Sequence, residues 1–225
     1  MKLLFFDVPA RAEMTRLALH AGGVPFEDCR VAIADWPAVK PTTPRGHLPT
    51  LTLPDGYVLT ESVAILRYAG AVGSPRLYPA DAAAAARVDE AVDVIAAITT
   101  ALAGVYGKPD AEVASIMKEH VAPGGTIAAA LQWANASAAA AGSGHLVGAT
   151  LTIADCAMKP AMDYLETIAG GPSRATSPPT RRSSRLSPSR RQCRPLRRTR
   201  RSTRSEGAWC GPGLGGGGVG WRVSR

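Results

Sequence analysis

Glu61 and Ser62 stand where a turn gives way to an apolar helical pattern, and that placement suits them to hold a small carboxylate. The first N–H groups of a helix lack partners within it, and the helix dipole adds partial positive charge at the same end. Thirteen residues before Ser62 comes Pro49, preceded by Leu48 and followed by a β-prone run. Proline is tolerated there as the first residue of the strand or through a cis bond. Further upstream, Trp36 and Lys40 are four residues apart and share a face of any helix they occupy. Taken alone, they read as a half-buried anchor tryptophan beside a solvated lysine.

The elements that must position these residues are legible on both sides. Thr50 to Leu53 and Tyr57 to Leu59 are β-prone runs joined by Pro54-Asp55-Gly56, a tight-turn signal that predicts an antiparallel hairpin. Val63, Leu66 and Ala69 then recur at helical spacing. At the start, Lys2 to Phe6 is an apolar strand. A helix follows, with Met14, Leu17, Ala18 and Ala21 on one face and Gly22-Gly23 as its stop, and Phe26 to Val31 is a second strand. Asp35 is placed as N-cap of a short helix with Pro37 in its first turn. The β-α-β start with a later β-β-α is the thioredoxin-like order, and the missing C-x-x-C argues against disulfide exchange.

Residues 70–80 read as a linker, and Asp81 caps a long alanine-rich helix to about Ala103. A second helical stretch, interrupted at Pro123-Gly124-Gly125, reaches Ala141. Thr152-x-x-Asp155 is a capping box with aspartate in place of glutamate, flanked by Leu151 and Cys156 at hydrophobic-staple positions. Pro160 is expected to kink the helix that follows.

The hairpin-helix segment from Gly46 to Tyr68, with Leu48-Pro49 and Glu61-Ser62, closely resembles the glutathione-binding half of cytosolic glutathione S-transferases. It is most like the sigma class that includes prostaglandin D synthases. The Thr152–Asp155 box resembles the one opening the sixth helix of that family, so the likeness runs from residue 2 to about 168. It implies an α/β thioredoxin-like domain over 1–73 and an all-α C-terminal domain over 81–169, with the family's last helices truncated. It also implies a cis Pro49, Leu48 pairing its backbone with the cysteinyl part of glutathione, and Glu61 and Ser62 holding the γ-glutamyl end. Trp36 and Lys40 would contact the glycine carboxylate. His47 would donate to the tripeptide backbone, or else be a solvated loop histidine.

The implied chemistry is attack on a small hydrophobic electrophile by the glutathione thiolate, in a cytoplasmic homodimer with glutathione as co-substrate. A thiol of pKa near 8.5 needs roughly 2.7 kcal/mol of preferential thiolate stabilisation to fall by about two units. The family tyrosine that supplies it falls on Phe5, which cannot donate, and no Ser, Thr, Tyr or Cys lies between Lys2 and Met14. Arg11 remains the obvious positive group. The alternative is a glutathione-binding relative with a carrier or structural role. Asp89 and Asp93 resemble an acidic pair of the sigma class, against which stands a plain solvated helix face.

Composition bounds the rest. Within 225 residues, the first 170 carry 12 basic and 17 acidic residues, whereas 171–225 carry 14 arginines and the single Glu206. The overall charge of +8 therefore belongs to the tail, and nucleic-acid binding is a reading for that tail alone. The tail reads either as an Arg/Ser-rich arm for RNA or as a misframed copy of an alanine-rich, GC-rich gene. The second is preferred because shifted alanine codons encode Arg, Ser, Gly and Cys, and both predict disorder over 170–225. No run of 18 apolar residues suggests a membrane span. Cys29, Cys156, Cys193 and Cys210 show neither C-x-x-C nor zinc-ligand spacing and are read as free thiols, with no metal site.

Overall fold

A computed structural model describes residues 1–169. The RNA-arm, misframing and disorder readings of 170–225 lie outside the described residues. Four strands form one sheet in the order β2-β1-β3-β4: β1 (Lys2–Phe6), β2 (Glu27–Val31), β3 (Thr50–Thr52) and β4 (Val58–Leu59). β1 and β2 run parallel, as a helical crossover requires, and α1 (Ala10–Ala21) supplies it. β3 is antiparallel to both β1 and β4, with Leu3 opposite Leu51 and Leu51 opposite Leu59, so the predicted hairpin is present.

Alternation along β1 decides what lies on each face. Leu3 and Phe5 point into a small core with Leu51, Ala12 of α1 and Ile65 of α3 (Ser62–Val72). Phe6, on the opposite face, meets Trp36 of α2 (Trp36–Val39) edge-on at 5.3 Å. Asp35 occupies the N-cap position of α2 without making a side-chain cap hydrogen bond; the preceding Ile33–Asp35 turn is already helical, so Asp35 is not the extended residue a side-chain cap needs.

The helical region comprises α4 (Ala82–Ala103), α5 (Asp110–Val121), α6 (Thr126–Ala141) and α7 (Ile153–Ala169). The Asp81 carboxylate accepts from the Ala84 N–H at 2.8 Å, as the sequence predicts. A large core runs through this region and into the helices of the sheet half. Met14, Leu19 and Leu66 pack in it with Val92, Ile95, Ile98, Ile127 and Ile153. Alanines such as Ala91 and Ala154 let the helices approach, while leucines and isoleucines supply the larger apolar side chains. α7 runs through Pro160 as one helix.

Two glycine positions allow the helices to approach closely. A Cβ on Gly73 would lie 2.6 Å from the Cα of Gly22, and the Ser74 N–H donates to the Gly22 carbonyl at 2.8 Å. The ends of α1 and α3 thus meet backbone to backbone, which side chains would forbid. A Cβ on Gly70 would stand 2.2 Å from Cγ2 of Ile153, so α3 lies directly against the start of α7.

Two sequence expectations are corrected. Cys29 is not among the free thiols, and the free-thiol reading of Cys193 and Cys210 lies outside the described residues. Asp89 and Asp93 are not a merely solvated face. Arg67 of α3 donates to Asp89 at 2.7 Å and reaches Asp93 at 3.5 Å, and the Tyr78 hydroxyl donates to Asp89 at 2.9 Å. Burial raises the Tyr78 phenol above its ordinary value, and its bond to the Asp89 carboxylate raises it further.

Candidate functional site

The loop from α2 to β3 and the entry to α3 enclose a cavity of about 230 Å³. Its walls are Arg11, Arg45, His47, Leu48, Pro49, Glu61 and Ser62. Six of the nine residues marked in the sequence therefore converge on one space. The other three do not line it. Phe5 is buried in the small core behind it, Trp36 packs on Phe6, and exposed Lys40 lies along Gly46, where a Cβ would meet its Cε at 3.3 Å.

Local backbone explains why the lining converges. The Leu48–Pro49 peptide is cis, as anticipated, and it turns the loop into β3. Ala10 (φ 38°) and Glu61 (φ 69°) are the non-glycine residues with positive φ among those described, and each immediately precedes a lining residue, Arg11 and Ser62. L-residues avoid this region, so the surrounding fold must hold them there, and such strain concentrates at functional sites. At α3 the Ile65 N–H takes the Glu61 carbonyl at 3.0 Å, leaving the N–H groups of the preceding turn without a partner inside the helix.

Electrostatically the lining holds two arginines against one carboxylate. Glu61 does not cap α3 with its side chain. It accepts instead from Nη1 of Arg45 at 2.6 Å. Arg45 was not singled out in the sequence, and no spacing rule links it to a partner sixteen residues on. Arg16 was missed as well. It is 4% exposed, paired with Glu13 (2.9 Å) and Asp28 (3.1 Å), and lies over the Phe5 ring with Cζ 6.0 Å from the centroid.

The capping box forms at the start of α7. The Asp155 carboxylate accepts from the N–H groups of Thr152 and Leu146, both at 2.8 Å, and the Thr152 hydroxyl accepts from the Ala154 N–H at 3.3 Å. Of the two staple residues, Leu151 is exposed and Cys156 buried, and both line a second, smaller cavity of about 210 Å³. Burial, with the Asp155 charge adding to it, pushes the Cys156 thiol up to about 11, so it is protonated at neutral pH and no nucleophile. Among the described residues there is no cluster of three or more metal-ligating side chains and no helix long and apolar enough to cross a membrane.

A sheet of this order, a cis-proline loop beside a helix N-terminus and a following helical region define the architecture of the glutathione transferases. Comparison with known proteins agrees. Residues 10–72 match the family model described as glutathione S-transferase, N-terminal domain. Glutathione S-transferase 1 of Ascaris suum is 33% identical over 169 residues, 74% of this chain and 81% of that protein. The crystal structure of the glutathione S-transferase from Ascaris lumbricoides has a TM-score of 0.61 at 31% identity, over 74% of this chain and 81% of its own. The Fasciola hepatica sigma class glutathione transferase reaches 0.66 at 25% identity, over 76% and 81%. The chain belongs to the glutathione S-transferase family, whose co-substrate is glutathione.

Proposed function

We propose that this chain binds glutathione in the cavity beside Pro49 and presents its thiolate to a small hydrophobic electrophile, as a sigma-like, cytoplasmic, homodimeric transferase or isomerase with a detoxifying role. The convergence of Arg11, His47, Leu48, Pro49, Glu61 and Ser62 on one space carries this reading. The γ-glutamyl carboxylate docks at Ser62 and the open N–H groups of α3, its ammonium faces Glu61, and the cysteinyl backbone pairs with Leu48. Arg11 is the cation lining the site and offers the thiolate a counter-charge that Phe5 cannot give. Trp36 and Lys40 stand outside the cavity wall and contact the glycine end.

Titration calorimetry of the full chain with glutathione tests the reading, and no heat at millimolar ligand would overturn it. Ser62→Ala should weaken binding more than Lys40→Ala, because Ser62 lines the cavity and Lys40 does not. Equal losses would mean that the carboxylate docks elsewhere. A second reading has one observation in its favour: Phe5 is apolar and buried where the family resemblance calls for a hydroxyl. On that reading the chain binds glutathione as a carrier or structural protein, and turnover of a generic aromatic electrophile by the full chain would exclude it.

A further inference from the structure

We infer that Arg45 and Glu61 together form a receptor for the zwitterionic end of the ligand, with Arg45 taking the α-carboxylate of the γ-glutamyl group while Glu61 takes its ammonium. The inference rests on the glutathione reading above and adds a specificity-determining residue to it. Nη1 of Arg45 lies 2.6 Å from Oε1 of Glu61, and both side chains line the cavity. They are 59% and 65% exposed, and ion pairs so open to water are weakly held, so a ligand offering the same two charges opens this one at little cost.

Backbone geometry points the same way. Glu61 keeps a positive φ of 69°, and its carboxylate does not cap α3. The carboxylate lies on the cavity side, paired with an arginine that immediately precedes Gly46 at φ 64°. Ammonium and carboxylate on one carbon are separated by about the spacing of an adjacent cation and anion. A zwitterion can therefore sit against the pair with each charge facing its opposite, and the planar guanidinium suits a carboxylate in particular. Ser62 approaches the same carboxylate from the α3 side. A lone helix N-terminus would accept any small anion, whereas the added pair selects for an anion carrying an amine on the same carbon.

Two altered peptides separate these roles. 4-Aminobutyryl-Cys-Gly lacks only the α-carboxylate of glutathione, and glutaryl-Cys-Gly lacks only the ammonium. In calorimetric titrations of the full chain, Arg45→Gln should weaken glutathione and glutaryl-Cys-Gly by about tenfold while changing 4-aminobutyryl-Cys-Gly by less than about twofold, since loss of one charge-assisted contact is of that order. Glu61→Gln should show the reverse pattern, sparing glutaryl-Cys-Gly. Equal weakening of all three peptides by Arg45→Gln would assign Arg45 to long-range attraction and overturn the inference. Unchanged glutathione affinity in Arg45→Gln, with Ser62→Ala weakened, would overturn it while leaving the glutathione reading intact. Absence of glutathione binding to the unaltered chain would overturn both.

Discussion

Replacing Phe5 by tyrosine gives the sharpest test of whether the cavity is built for catalysis. Phe5 is 5% exposed and sits one layer behind the cavity, with Leu48 both lining the cavity and packing on the cluster that holds Phe5. An added hydroxyl therefore meets one of two environments. If the ring's outer edge reaches the glutathione sulfur, a charge-assisted hydrogen bond worth about 1.5–3 kcal/mol forms, which lowers the bound thiol by roughly one to two pKa units. If it does not, the hydroxyl is buried without a partner at a cost of about 1–3 kcal/mol, equivalent to roughly 3–10 °C in melting temperature for a chain of this size. A site that keeps the sulfur where the family tyrosine would meet it gives the first. Phe5→Tyr should then raise turnover of an aromatic electrophile at neutral pH by about tenfold or more, with little change in glutathione affinity. Ultraviolet titration of the bound thiolate and thermal melts of the same samples read the two outcomes directly. A lowered melting temperature with an unmoved thiol titration would refute the reasoning. Substantial turnover by the unaltered chain would in that case pass the activating role to Arg11, and Arg11→Ala should abolish it.

Three further predictions follow from packing and charge. Asp155→Ala removes the acceptor for the Thr152 and Leu146 N–H groups and should cost about 2–4 kcal/mol in urea denaturation; a loss below about 1 kcal/mol would mean that water replaces the carboxylate. Gly70→Ala places a Cβ 2.2 Å from Ile153 Cγ2 and should cost about 1–3 kcal/mol by overpacking, so a neutral effect would contradict the contact between α3 and α7. Cys156 is raised in the fold from 9.0 to about 11, so its contribution is fully present below pH 9 and is lost as pH rises through 11. Melting temperature should accordingly fall more steeply across that window in the unaltered chain than in Cys156→Ala, and parallel curves would remove Cys156 as the cause.

Much of the site could be read from residue types because its parts are local. A proline entering a strand and a Thr-x-x-Asp box each announce a backbone need within a few residues, and Pro49 and Thr152 sit as those needs require, while Ser62 opens α3 at the cavity wall. What escaped was long-range. Arg45 meets Glu61 across sixteen residues and Arg67 meets Asp89 across twenty-two, both through tertiary folding that no periodicity encodes. Trp36 and Lys40 show the converse. Their four-residue spacing is real, yet Trp36 turns to Phe6 while Lys40 lies along the loop at Gly46.

The helices that back the cavity are committed on two sides at once. α1 and α3 give Ala12 and Ile65 to the small core under the sheet, and Met14, Leu19, Leu66 and Ala69 to the core shared with α4, α6 and α7. Residues 10–72, the stretch the family model spans, therefore do not close their own core. Cut free after Gly73, that half would offer water an apolar face normally covered by Val92, Ile95 and Ile153. α7 supplies part of the far wall of that core, so exchanging the N-terminal half between relatives means exchanging the far wall of its core as well.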